Sequence, residues 1–209
     1  MIKASLTGSR YSGKSSFAKA FRQIGIPVFE ADPIIKYLLN FDQKVGKEII
    51  EKYGKYIFTG PSATISPKEI KSEKDFDRLI SFAEEPLNEA YMRFLEKNSG
   101  SVYTIFHSSI VFERGWNSAF DYNISAFAPK QERCVRAQIA EGKSSSEIES
   151  MMSIEMDPLV KNSISDFVVH AYDQSIGAFG TLPDQVCKID QKIVDAFLGN
   201  KEPLSEIYC

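Results

Sequence analysis

The chain has 209 residues, of which 43% are hydrophobic and 25% charged, and its formal net charge is -3. This length suits one well-buried domain with a small appendage, and it is too short for two full-sized domains. The slight negative charge argues against nucleic-acid binding as the main activity. No apolar run approaches the length of a membrane span, so the composition indicates a soluble globular protein with no membrane partner.

The cysteines and the N-terminus bear on where the protein works. The three cysteines, Cys134, Cys187 and Cys209, are widely separated and show neither metal-ligand spacing nor a disulfide framework. The N-terminus lacks the pattern of a signal peptide, because strand-like residues begin the chain. We therefore expect a reducing, cytoplasmic setting.

The first motif in the chain is G-x-x-x-x-G-K-S at Gly8–Ser15, the pattern of a phosphate-binding loop; we call this segment the phosphate loop. Apolar residues alternate before it and predict a strand that ends at Leu6. Apolar residues after it have the spacing of one helical face, which predicts a helix from Lys14 or Ser15. This context disfavours a chance match on a Gly/Ser-rich turn.

Each residue type in the phosphate loop has a chemical reason. Gly8 and Gly13 allow backbone angles that turn successive N–H groups onto a polyphosphate, and the next helix adds its N-terminal donors. Lys14 is predicted to reach the β- and γ-phosphates as a catalytic residue, and the Ser15 hydroxyl to hold Mg²⁺. The predicted ATP-binding residues are Gly8, Ser9, Arg10, Tyr11, Ser12, Gly13, Lys14, Ser15 and Ser16.

A second predicted strand begins at Val28 and runs into Glu30-Ala31-Asp32. Pro33 suits the first turn of a helix, which would make Asp32 its N-cap. The alternative is functional, because a carboxylate at the carboxyl end of a strand faces the crevice where α/β sheets bind ligands. The residues alone leave both interpretations open.

Residues 33–98 interrupt the alternation of strands and helices and predict a helical, substrate-binding insertion. Within it, residues 54–65 are expected to be irregular, and Ser66-Pro67-Lys68-Glu69 has the form of a capping box. Residues 99–130 and 162–209 return to strands and helices, and the last predicted element is an amphipathic helix from Cys187 to Leu198. With residues 1–32 they form the predicted core.

Residues 131–161 are predicted to form a small lid, and this range is called the lid below. Its first helix carries Arg133 and Arg136, which either point to solvent or contact a transferring phosphate. A parallel sheet covered on both faces, with one phosphate loop at the first turn, predicts a three-layer α/β fold of the P-loop NTPase type, similar to nucleoside monophosphate kinases.

The chain resembles the dephospho-coenzyme A kinase family over essentially its whole length. The shared features are the phosphate loop, Glu30-Ala31-Asp32 where the family has Asp-Ala-Asp, Ser109-Ile-Val-Phe-Glu113 where it has Pro-Leu-Leu-Phe-Glu, and Lys161 before the strand-like Ser165-Asp-Phe-Val-Val169. The resemblance implies Mg²⁺-dependent transfer of phosphate from ATP to the ribose 3′-hydroxyl of dephospho-coenzyme A. It further implies Asp32 and Arg136 as catalytic residues, with Asp32, Glu113 and Lys161 on the acceptor side.

Five positions depart from the family pattern. Glu85 replaces a motif histidine, Ala140 and Met151 replace two lid arginines, Glu155 replaces the lid glutamine, and Ala171 replaces the asparagine after the last strand. These changes keep two alternatives open: a nucleoside or deoxynucleoside monophosphate kinase on the same scaffold, and a nucleotide-binding protein with weak catalysis. The sequence does not decide the oligomeric state.

Overall fold

The computed structural model describes residues 1–54, 58–59, 64–65, 73–142, 144–153, 155–171 and 180–199. The strands are β1 (Ile2–Thr7), β2 (Val28–Glu30), β3 (Phe58–Thr59), β4 (Thr64–Ile65), β5 (Tyr103–His107), β6 (Tyr122–Phe127) and β7 (Phe167–His170). The helices are α1 (Lys14–Gln23), α2 (Ala31–Phe41), α3 (Gln43–Tyr53), α4 (Glu73–Lys97), α5 (Lys130–Glu141), α6 (Ser145–Ser153), α7 (Pro158–Ser163) and α8 (Leu182–Phe197), with a 3₁₀ turn at Trp116–Ala119. The chain divides into two compact units, Met1–Phe29 with Asn98–Cys209, and Glu30–Lys97.

The main sheet has five strands in the order β2-β5-β1-β6-β7. β1 pairs in parallel with both β5 and β6, and β6 pairs in parallel with β7. The predicted parallel α/β sheet is therefore confirmed. Because β1 is the central strand, the phosphate loop that follows it leaves the middle of the sheet edge at which parallel strands end.

The core of this unit forms where β1 and its neighbours meet α1 and α8. Leu6 of β1, Phe17 and Phe21 of α1, and Ile189 and Ile193 of α8 belong to one cluster of buried side chains. Burying a side chain of this size contributes about 1.5–3 kcal/mol relative to exposure. The packing thus fixes the start of α1, and with it the end of the phosphate loop.

Residues 30–97 are mainly helical, with α2, α3 and α4 as the long elements. Asp42 caps α3, since its side chain accepts hydrogen bonds from the backbone N–H groups of Lys44 and Val45. The expectation that residues 54–65 are irregular is wrong in part, because β3 and β4 pair there as a short antiparallel ladder. The predicted capping box at residues 66–69 lies outside the described residues.

Two predicted helix starts were wrong. α2 begins at Ala31 with Glu30 as its N-cap residue, so Asp32 lies within the first turn and does not cap the helix. A carboxylate in the first turn is still favourable, because it lies near the positive end of the helix dipole. α8 begins at Leu182, five residues before the predicted start at Cys187, because Thr181 and Asp184 form a capping box.

Two negative findings hold for the described residues. Cys134 and Cys187 are free thiols, and Cys209 lies outside the described part of the chain. In that same part of the chain, none of the helices combines the length and the apolar character needed to cross a membrane.

Candidate functional site

The phosphate loop adopts a conformation that its two glycines make accessible. Gly8 has φ +148° and Gly13 has φ +90°. A Cβ atom on Gly8 would lie 2.5 Å from the carbonyl oxygen of Ala126, and one on Gly13 would lie 2.2 Å from Cβ of Ala171. Both positions therefore exclude larger residues by backbone angle and by contact. α1 begins directly after Gly13, at Lys14.

Two serines of the phosphate loop turn their side chains inward. Ser9 is 2% exposed and Ser12 is 1% exposed. Among the described residues, neither hydroxyl oxygen has a hydrogen-bond partner. A buried hydroxyl without a partner is costly, so these two groups retain hydrogen-bonding capacity for a ligand. Ser15 and Ser16, by contrast, are exposed in the first turn of α1.

Tyr11, one of the predicted ATP-binding residues, has an unusual backbone conformation and contacts that the sequence did not predict. It has φ +61°, the only non-glycine residue with a positive φ in the described part of the chain. Its hydroxyl donates a hydrogen bond to the Glu141 carboxylate at the end of α5. Its carbonyl oxygen accepts from Arg136 Nη1 at 3.1 Å. Tyr11 therefore connects the phosphate loop to the lid from both its side chain and its backbone.

The two arginines of α5 contact the phosphate loop and do not form a solvated face. Arg133 is 4% exposed, and its Nε donates to the carbonyl oxygen of Arg10 at 2.8 Å. Arg136 binds the carbonyl oxygen of Tyr11 and donates through Nη2 to that of Ala171. Of these two arginines, the sequence predicts only Arg136 as a catalytic residue.

Glu155 completes the contact between lid and loop. The backbone N–H of Arg10 donates to both carboxylate oxygens of Glu155, at 3.1 and 3.3 Å. Arg133 Nη2 lies 2.6 Å from Oε2, and Arg10 Nε lies 3.4 Å from Oε1. The carboxylate, whose side chain is 12% exposed, is thus surrounded by three donors, two of which carry positive charge. Sequence reasoning read Glu155 only as a lost glutamine.

Glu113 and Lys161 form a second ion pair in the same unit. Lys161 Nζ lies 2.6 Å from Glu113 Oε1 and donates to the carbonyl oxygen of Ser109 at 2.9 Å. Lys161 is 1% exposed, so its ammonium group is turned inward. The other carboxylate oxygen, Oε2 of Glu113, is buried without a hydrogen-bond partner among the described residues. The pair leaves one acceptor oxygen for a ligand.

Two predicted positions belong to the unit of residues 30–97. Asp32 is half-buried in the first turn of α2, two residues after the end of β2. Glu85, which stands where the family has a histidine, is exposed on α4, and its Oε2 lies 3.4 Å from Nζ of Lys44. The hydrogen bond that Lys44 donates to the Glu85 carboxylate is the main cause that raises the pKa of Lys44, and the negative charge of Glu85 is the second.

The residues present suit a metal ion that arrives with a nucleotide. Within the described residues, there is no cluster of three His, Cys, Asp or Glu side chains that could hold a metal. The exposed Ser15 hydroxyl is a single oxygen donor at the start of α1. Mg²⁺ commonly combines one or two protein oxygens with substrate phosphates and water, so this donor fits a nucleotide-bound Mg²⁺.

Comparison with known proteins agrees with this geometry. Residues 2–176 match the family model for dephospho-CoA kinase. The dephospho-CoA kinase of Aquifex aeolicus is 26% identical over 174 residues, which cover 81% of this chain and 88% of that protein. The dephospho-CoA kinase of Protochlamydia amoebophila is 25% identical over 177 residues, which cover 80% and 86%.

Solved structures support the fold. A crystal structure from Thermus thermophilus matches with a TM-score of 0.71 at 18% identity, covering 97% of this chain and 98% of that one. The dephospho-CoA kinase of Campylobacter jejuni matches with a TM-score of 0.51 at 15% identity, covering 91% and 96%. The predicted P-loop kinase fold and the predicted family are both confirmed. With the family model matching most of its length, the chain belongs to the dephospho-CoA kinase family of ATP-dependent kinases.

Proposed function

We propose that the protein transfers the γ-phosphoryl group of ATP to the ribose 3′-hydroxyl of dephospho-coenzyme A. The observation that carries the proposal is the phosphate loop between the central strand and α1, with two lid arginines in contact with its backbone. Family membership supplies the acceptor. In this proposal the partners are ATP with Mg²⁺ and a small nucleotide-like acceptor, without nucleic acid, and the location is the cytoplasm.

The phosphate loop binds the phosphates of ATP, the phosphoryl donor, and the lid stabilises the charge on the group that is transferred. Phosphoryl transfer needs little covalent help, so positioning and charge stabilisation dominate. The loop N–H groups, Lys14 and the start of α1 hold the phosphates, and Arg136 neutralises charge that develops on the transferred group. The Ser15 hydroxyl, together with the nucleotide phosphates, would hold Mg²⁺, and the bound ion would supply further charge neutralisation. Ser9 and Ser12 in the loop, and Ser16 in the first turn of α1, are additional hydrogen-bonding groups, and Gly8 and Gly13 give the loop its shape.

Asp32 is proposed as the residue that orients or deprotonates the acceptor hydroxyl. The support is its chemistry and its place, an ionisable carboxylate two residues after β2 in the position of the family's Asp-Ala-Asp motif. For Asp32→Asn we expect kcat to fall by about 10²–10³, within the roughly 10²–10⁴ that a general base typically contributes, while KM for ATP stays within about twofold. Steady-state kinetics with dephospho-coenzyme A measure both. A kcat close to that of the natural chain would remove Asp32 from this role.

Glu113 and Lys161 are proposed to act on the acceptor side. The available Oε2 oxygen of Glu113 suits a hydroxyl or amino group of the acceptor, since an ionised carboxylate forms strong hydrogen bonds. Lys161 is a positioning residue in this scheme, because its ammonium group holds the other oxygen of the carboxylate and the Ser109 carbonyl.

A nucleoside or deoxynucleoside monophosphate kinase is the second candidate, and Glu85 favours it. An exposed carboxylate paired with Lys44 replaces the family histidine in the unit of residues 30–97, the region in which we expect the acceptor to bind. A protein that binds ATP with little catalysis is the third candidate, because Ala140 and Met151 replace two lid arginines.

One assay separates the three candidates. ATP consumption is measured with dephospho-coenzyme A and with a panel of nucleoside and deoxynucleoside monophosphates, and ATP binding is measured separately by calorimetry. We expect turnover with dephospho-coenzyme A to exceed that with every other acceptor. Turnover restricted to a nucleoside monophosphate would replace the proposed function with the second candidate. Binding of ATP without turnover on any acceptor would replace it with the third.

A further inference from the structure

Glu155 places an anion against the phosphate loop. Its carboxylate accepts from the backbone N–H of Arg10 and pairs with the side chains of Arg133 and Arg10. Backbone N–H groups of a phosphate loop and guanidinium groups are also the donors that bind the phosphates of a nucleotide. Glu155 therefore occupies groups of the kind that a nucleotide phosphate would use.

We propose that Glu155 is an internal competitor of ATP. In the nucleotide-free protein its carboxylate holds the Arg10 N–H and the Arg133 guanidinium, and the terminal phosphate of ATP takes over these donors on binding. The inference rests on the proposed function only in that ATP is the nucleotide. Glu155 then sets nucleotide affinity through the lid.

The charge at the site gives the direction of the effect. Glu155 neutralises cations that would otherwise attract a polyphosphate, and it repels the incoming negative charge. A glutamine has the same shape and still offers an oxygen to the Arg10 N–H, but it carries no charge. Glu155→Gln should therefore keep the contact between lid and loop and leave Arg10 and Arg133 more available to the terminal phosphate.

A purely structural role predicts a different result. Arg133 is almost fully buried, and a buried cation needs a counter-ion. If Glu155 were only that counter-ion, Glu155→Gln would lower stability and bring no gain in ATP affinity. Nucleotide affinity, measured beside stability, is thus the property that separates the two roles.

The experiment compares ATP and ADP binding to the unsubstituted chain and to Glu155→Gln. Calorimetry in the presence of Mg²⁺ gives the dissociation constants. We expect ATP to bind the variant roughly fivefold to tenfold more tightly, since one partly buried like charge is removed, and ADP to change by less than about twofold. KM for ATP should fall by a similar factor, while KM for the acceptor stays within about twofold.

Glu149→Gln is the matched control for loss of one lid carboxylate. Glu149 lies on α6 and approaches Lys130 at 3.5 Å, and its side chain is more than half exposed. Its removal changes the lid charge by the same amount without removing a hydrogen bond to the phosphate loop. ATP affinity should change by less than about twofold, as is usual for an exposed, screened charge. Tightening as large as in Glu155→Gln would overturn the proposal in favour of a general charge effect.

Further outcomes decide the remaining cases. Unchanged or weaker ATP binding in Glu155→Gln, or equal tightening for ADP, overturns the proposal. So does a Glu155→Gln chain that fails to fold, or a charge-conserving Glu155→Asp chain that tightens ATP as much as glutamine does. If Glu155→Gln binds ATP more tightly but the unsubstituted chain does not phosphorylate dephospho-coenzyme A, the proposed function fails and the proposed competition by Glu155 stands. If the natural chain binds no ATP, both fail.

Discussion

The phosphate loop and the lid are stabilised by different kinds of interaction. The loop depends on backbone conformation within eight consecutive residues, with Gly8 and Gly13 at angles and contacts that side chains obstruct. The lid depends on charged side chains that meet over long sequence separations, such as Glu155 with Arg10, 145 residues apart. The loop is therefore visible in a short motif. The lid contacts become visible only when the chain is folded.

Lys14→Ala tests the loop side of this comparison and has the largest expected effect. In the proposed function, Lys14 contacts the β- and γ-phosphates, so its loss removes a positive charge from the site of phosphate transfer. We expect kcat/KM to fall by about 10³ with little loss of stability, because Lys14 lies at the start of α1 and outside the buried core. Steady-state kinetics and thermal unfolding measure the two quantities.

Lys19→Ala is the matched control for Lys14→Ala. Lys19 is exposed on the same helix and carries the same charge. Its removal should leave kcat/KM within about twofold, since a solvent-screened charge acts weakly over distance. If kcat/KM of Lys14→Ala equals that of the unsubstituted chain, the assignment of the phosphate loop is contradicted.

Lys161→Met tests the lid side and acts on stability. Lys161 is buried against Glu113 and the Ser109 carbonyl, so the substitution leaves a carboxylate without its counter-ion. We expect the free energy of unfolding to fall by about 3 kcal/mol, the lower end of the range for a broken buried ion pair. Denaturant titration measures the change.

Lys130→Met is the control for an exposed lysine pair. Lys130 lies 3.5 Å from Glu149, and both side chains are more than half exposed. Its loss should cost less than about 0.5 kcal/mol. The double variant Lys161→Met with Glu113→Leu should recover part of the stability, because no unpaired charge is left. Equal losses of unfolding free energy in Lys161→Met and Lys130→Met would show that the buried ion pair stabilises the fold no more than the exposed pair does.

The same contrast explains what the sequence could predict. The order of strands and helices, the phosphate loop and the start of α1 follow from apolar periodicity and glycine spacing, which act between near neighbours. The family resemblance located the residues of the Lys161–Glu113 pair, but not their contact. No local pattern encodes which carboxylate will meet which cation, since that depends on how helices pack.

Glu155 is the clearest case of this limit. Compared with the family pattern it looks like a lost glutamine, and only the folded chain shows that it pairs with Arg133 and reaches the loop N–H of Arg10. Asp32 illustrates a smaller error of the same kind. Pro33 suggested that Asp32 caps α2, but the helix begins one residue earlier, at Ala31.

Tyr11→Phe tests the residue that joins the two regions, and its expected effect is the smallest. The substitution removes the hydroxyl that donates to Glu141 and keeps the ring and the carbonyl bonded to Arg136. A hydrogen bond to a charged, partly exposed group suggests a loss of about 1 kcal/mol in the free energy of unfolding. Tyr37→Phe, at an exposed tyrosine of α2, should change stability by less than about 0.5 kcal/mol.

Hydrogen exchange adds a local measure to this comparison. If the hydroxyl fastens the end of α5 to the phosphate loop, Tyr11→Phe should speed amide exchange in the last turn of α5 and leave the middle of β1 unchanged. Exchange that speeds equally in both elements would mean that the hydroxyl supports the whole fold. Exchange unchanged in both would mean that the lid stays on the loop through Arg133, Arg136 and Glu155 alone. The element in which exchange becomes faster thus shows whether the Tyr11–Glu141 hydrogen bond stabilises only the end of α5 or the whole fold.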